Sequence, residues 1–85
     1  MPLTQKFAAE VRKSRKARRL TQEQLAELVM ISTRSIQYIE KGAWMPKPET
    51  MLRLMIKLQI PADLFSEEVG FSAPVSPDPT ESTNA

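Results

Sequence analysis

The chain has no cysteine and no histidine among its 85 residues. Without cysteine there is no disulfide framework and no sign of an oxidising compartment. Without either residue the usual zinc, iron–sulfur and thiol chemistries lack ligands, so no metal site and no cofactor is expected. Histidine acid–base catalysis and Ser–His or Cys–His nucleophiles are excluded as well. Ser35 and Tyr38 have no identifiable activating neighbour. No catalytic residue is therefore expected, and an enzyme is the least favoured class. Apolar runs stay well short of membrane-spanning length and no signal peptide is evident. The expectation is a cytoplasmic protein with no membrane partner and no small-molecule ligand.

Basic residues are missing from one end. Residues 66–85 hold Glu67, Glu68, Asp78 and Glu81 and no Lys or Arg, whereas residues 1–65 hold all 12 bases against six acids. The modest net charge of +2 thus hides a basic body and an acidic tail. That distribution suits a polyanion-binding domain, although it also occurs in unrelated small proteins. At this length one small domain is expected, with a core that demands efficient helix packing.

The most informative stretch is Leu20–Gly42. Thr21 and Gln24 form a Thr-x-x-Gln capping box, with Leu20 and Leu25 placed as a hydrophobic staple. Ser32 repeats the logic as an N-cap, with Ile31 and Ile36 as its staple pair. Only Met30 to Ser32 separate the two helical runs, so the helices must cross rather than lie antiparallel. Gly42 ends the second helix where a left-handed residue is wanted.

Around this pair the pattern predicts a first helix over 6–18, with Phe7, Val11 and Ala8 as its apolar stripe. Six bases crowd its end, where cations face the negative end of the helix dipole. Lys13 and Lys16 are expected on a solvated face, whereas Arg12 and Arg15 lie on the Val11 side and suit anchoring or phosphate contact. The second helix runs over 22–29 with Leu25, Leu28 and Val29 inward. The third runs over 33–41 with Ile36 and Ile39 inward, leaving Thr33, Arg34, Gln37, Tyr38 and Lys41 outside. This outer face carries no acid, since Glu40 lies toward the Ile36 side. A fourth helix starts at Pro48 and reaches about Leu58. Its apolar positions are wider than one core-facing stripe, so neighbours cover both sides or Leu52 and Ile56 form an exposed strip. A last helical turn near 61–65 places Leu64 and Phe65 to close the core. Residues 67–85 are Pro-, Ser- and Thr-rich and acidic, and are expected to be disordered.

From Phe7 to Phe65 the order of signals resembles the XRE/Cro family of helix-turn-helix domains. The resemblance rests on the Leu-Thr-Gln-x-x-Leu-Ala opening at Leu20, on Ile36 and Ile39 in the second helix of the pair, on Glu-Lys-Gly at its end, and on the Pro-x-x-Glu-Thr entry to the fourth helix. It implies an all-α, compact five-helix bundle of the lambda-repressor-like type over residues 1–66, followed by the disordered tail over 67–85. It also implies a double-stranded DNA partner and a homodimer on a partly palindromic operator. By position, Thr33, Arg34, Gln37 and Tyr38 fall at base-reading sites. Gln22, Ser32, Lys41, Trp44 and Arg12 fall at phosphate-contacting sites, although for Trp44 loop packing is the somewhat favoured role. Arg15 and Glu40 match an ion pair joining the first and third helices. Leu52, Ile56 and Phe65 are candidate dimer contacts.

The chain departs from the family where glycine is common, holding Arg19, Met30 and Gln59 instead. A side chain at positive φ costs roughly 1–2 kcal/mol, so these turns either carry strain or take another geometry. The leading functional reading is a sequence-specific transcriptional regulator, most readily a repressor. The rival is an antitoxin-type module that binds a partner protein and controls its own operon. A helical adaptor without DNA affinity is the second rival.

Overall fold

The computed structural model describes residues 3–69. Within them the chain forms α1 (Leu3–Ala17), α2 (Gln22–Val29), α3 (Thr33–Lys41) and α4 (Pro48–Leu58). A 3-10 turn over Ala62–Phe65 then runs into a one-turn helix, α5 (Ser66–Val69). The described residues contain no strand, and the architecture is the expected all-α bundle of five helices.

Helix α1 begins earlier than its sequence pattern suggests. Leu3 packs against the core one turn before Phe7, so Leu3, Phe7 and Val11 extend one apolar stripe at a spacing of four. The start of α2 is the expected capping box. The Thr21 hydroxyl accepts from the Gln24 amide at 3.0 Å, and the Gln24 side chain accepts from the Thr21 amide at 2.8 Å. At the start of α3, Ser32 Oγ accepts from the Ser35 amide at 3.1 Å. Leu20 and Ile31, the outer members of the two staples, both pack on the core.

Four helices end in one way. After each, a residue in the left-handed region donates to the carbonyl three back, and the next residue donates to the carbonyl five back. The left-handed residues are Arg19 (φ 57°), Met30 (φ 63°), Gly42 (φ 73°) and Gln59 (φ 57°). The paired bonds are Arg19 to Lys16 and Leu20 to Arg15, Met30 to Glu27 and Ile31 to Ala26, Gly42 to Ile39 and Ala43 to Tyr38, and Gln59 to Ile56 and Ile60 to Met55. This is the Schellman arrangement, which satisfies the last carbonyls of a helix. The apolar residue that follows each side-chain-bearing turn, Leu20, Ile31 or Ile60, is drawn into or against the core. The turns at Arg19, Met30 and Gln59 therefore take the geometry that glycine would take, with a β-carbon present.

The core gathers Phe7 and Val11 from α1, Leu25, Ala26 and Val29 from α2, Ile36 and Ile39 from α3, and Leu54 and Leu58 from α4. Ile60 and Phe65 close it. Leu28, expected inward, is 44% exposed. The buried face of this eight-residue helix centres between Leu25, Ala26 and Val29, and Leu28 lies about a quarter-turn outside it. Leu64 is also partly exposed. Phe65, expected as a dimer contact, is 6% exposed, with its ring 5.8 Å from that of Phe7. It belongs to the core and offers no surface to a partner.

The expected tail begins at residue 67, yet Glu67 to Val69 are helical, and Glu68 pairs with Lys6 of α1 at 3.2 Å. The rest of that expectation, over 70–85, lies outside the described residues.

Candidate nucleic-acid interface

Helix α3 buries Ile36, Ile39 and Glu40. Nine residues at 100° per residue leave little choice for the remainder. Arg34, Gln37, Tyr38 and Lys41 are exposed, and Thr33 is half-buried. Ser32, at the cap, is exposed, and its hydroxyl also bonds that of Ser35 at 3.0 Å. Gly42 ends the helix against α1, where a β-carbon on it would lie 3.6 Å from Gln5 Cγ and 3.8 Å from Ala8 Cβ. Trp44 lies in the following loop, partly exposed.

Glu40 is the fastening point of this face. Its side chain is only 3% exposed. Arg15 grips it with two nitrogens, Nε to Oε2 at 2.6 Å and Nη2 to Oε1 at 3.0 Å. Gln22, first residue of α2, donates from Nε2 to Oε1 at 3.1 Å. The third guanidinium nitrogen of Arg15 donates to the Leu20 carbonyl at 2.9 Å, in the turn before α2. Arg12 donates to the backbone carbonyl of Glu40 at 2.7 Å. One carboxylate thus ties α1, the start of α2 and the last turn of α3 together. A planar fork on a carboxylate fixes direction as well as distance. Such a pair serves orientation more than net stability, because desolvating both charges offsets much of their attraction.

The expected Arg15–Glu40 pair is therefore present, and Gln22 joins it. The bond from Arg12 to the Glu40 backbone cannot be read from the sequence, since a carbonyl acceptor leaves no mark in residue type. Beside these groups an open cleft of about 590 Å³ is lined by Arg12, Gln22, Gln37, Glu40 and Lys41. Donors from three helices converge on it, and its only acid is already engaged by Arg15 and Gln22. An exposed polar helix face, flanked by cations and held at a fixed angle by a buried fork, is suited to a DNA groove and its phosphates.

A family profile described as helix-turn-helix matches residues 11–65. The chain belongs to this helix-turn-helix family. This XRE/Cro-type domain makes the protein a DNA-binding transcription regulator whose partner is double-stranded DNA. The helix-turn-helix family is a DNA-binding one and not enzymatic. No curated protein matches the sequence significantly. Among the described residues of the helix-turn-helix chain no helix is long and apolar enough to cross a membrane, and no acidic cluster suits a metal ion.

Candidate dimer contacts on α4 divide clearly from the third. Leu52 and Ile56, four residues apart, are 59% and 69% exposed, whereas Phe65 is internal.

Proposed function

We propose that the domain is a repressor that binds a partly palindromic operator as a homodimer, each copy laying α3 in the major groove. The observation that carries this reading is the acid-free outer face of α3, backed by the Glu40 fastening beneath it. Arg34 supplies a fork for guanine O6 and N7, and Gln37 supplies a paired donor and acceptor for adenine. Tyr38 packs on a thymine methyl, and Thr33 reads the base edge nearest the helix start. Gln22, Ser32, Lys41, Trp44 and Arg12 hold the backbone, which fixes register without reading sequence.

The exposed strip of Leu52 and Ile56 on α4 supports the dimer reading. An isolated exposed leucine needs no explanation, but two large aliphatics stacked on one face suit a self-complementary contact. Two recognition helices then meet successive major grooves roughly 34–36 Å apart. Repression results from occupying promoter DNA.

The test is selection from a random DNA pool, sequencing of the bound fraction, and anisotropy titration of the enriched duplex at two salt concentrations. Two related half-sites one helical turn apart, with affinity falling steeply as salt rises, are the expected result. A pool with no enrichment would end the operator reading and favour a protein partner instead.

A further inference from the structure

Three of the four left-handed helix ends carry a side chain, and each does so at a steric cost that glycine would not incur. Strain kept at a surface position directs attention to what its side chain supplies. At Gln59 the side chain accepts a hydrogen bond from Arg18 Nη2 at 2.9 Å. Arg19 is exposed, and among the described residues its side chain takes part in no hydrogen bond and no ion pair.

Its location is defined by its neighbours. The next carbonyl, that of Leu20, is held by the same Arg15 guanidinium that grips Glu40. Two positions further, Thr21 caps α2. Arg19 thus stands at the rim of the fastened interface, beside the positive end of α2. Lys16, whose carbonyl accepts the Arg19 amide at 3.0 Å, lies one helical turn beyond Arg12 on α1. Residues four apart share a helix face. Arg12 bonds the Glu40 carbonyl, so that edge of α1 borders the last turn of α3. Arg12 and Lys16 share that edge, Arg19 follows in the left-handed turn beyond the helix, and Lys16 and Arg19 are both exposed.

We propose that Lys16 and Arg19 form a second DNA-backbone grip, holding a phosphate that flanks the segment read by α3. This rests on the DNA-binding reading and adds a contact to it. Arg19 offers the phosphate a bidentate fork and Lys16 a mobile point charge. The contact carries no base information, so it raises affinity for every sequence alike. It also explains why a turn built for glycine keeps arginine: backbone stability is exchanged for charge at the interface.

The exchange gives a distinctive test, because Arg19→Gly moves two observables in opposite directions. Its thermal midpoint should rise by a few degrees. Its affinity for a mixed-sequence DNA duplex should fall roughly five- to tenfold near 0.1 M salt, and the slope of log affinity against log salt should shrink by about one. Lys16→Gln should reduce the slope similarly with little change in midpoint, and Arg19→Lys, which keeps the charge but loses the fork, should keep the slope and lose less affinity than Arg19→Gly. Steep salt-dependent binding by the unaltered protein, matched in affinity and slope by Arg19→Gly and Lys16→Gln, would overturn the grip while leaving DNA binding intact. Absence of salt-dependent binding by the unaltered protein would remove both.

Discussion

Met30 and Gln59 each hold a left-handed backbone with a β-carbon attached. Replacing either with glycine removes a steric cost of roughly 1–2 kcal/mol but adds freedom to the unfolded chain. Met30→Gly should therefore stabilise the domain by about 0.5–1 kcal/mol, a rise of several degrees by differential scanning calorimetry. Gln59→Gly should gain less, since it also loses the bond from Arg18. An unchanged or lower midpoint for Met30→Gly would show that the turn is not strained. Glu40→Ala acts the other way. It strands the Arg15 guanidinium, whose side chain is only 12% exposed, and should cost about 3–5 kcal/mol in urea titrations. A loss below about 1 kcal/mol would mean that Arg15 finds other partners readily. These residues differ in how far sequence reveals them. The left-handed sites are legible as missing glycines, but whether the backbone keeps its geometry depends on Leu20, Ile31 and Ile60 reaching the core, a tertiary matter. The Arg15–Glu40 pairing comes from family resemblance, because residues 25 apart leave no local trace of contact.

Helices α2 and α3 are legible almost to the residue because their signals are local. A capping box and a serine cap act within four positions, and both are formed. The start of α1 is less legible, since Leu3 owes its helical place to packing on elements far along the chain. Leu28 misleads because α2 is short, and a periodic pattern over eight residues does not fix the edge of its buried face. At this scale α3 and α4 carry separate proposed functions. Arg34→Ala should weaken operator binding by about 1–3 kcal/mol and relax one base position, as read by titration against single-base operator variants. A loss uniform over all sequences would reassign Arg34 to the backbone. Ile56→Glu places a charge in the exposed strip of α4 without touching the core. Sedimentation should then show a monomer, with half-site binding retained and operator affinity reduced. A dimer that persists in Ile56→Glu would place the contact elsewhere.

The fold as a whole is closed by its ends. Phe65 meets Phe7, and Glu68 meets Lys6, so the last described turns rest on α1. The basic body is plain in the sequence, but the sequence does not show that Glu67 and Glu68 belong to a docked helical turn. That docking divides two truncations. Removing residues 70–85 should leave the thermal midpoint within a degree or two, because Phe65 and Glu68 remain in place. A large drop would show that the removed segment supports the fold. Removing residues 66–85 also deletes Glu68 and its pairing with Lys6, and should lower the midpoint further than the shorter cut. The Glu40 fastening has a wider consequence. It sets the tilt of α3 from the inside, using Arg15 and Gln22, while Arg34, Gln37 and Tyr38 look outward and take no part in it. Anchoring and outer surface are thus separable heritable traits: mutation can rewrite the outer lettering of the helix while the hinge-pin that aims it stays unaltered.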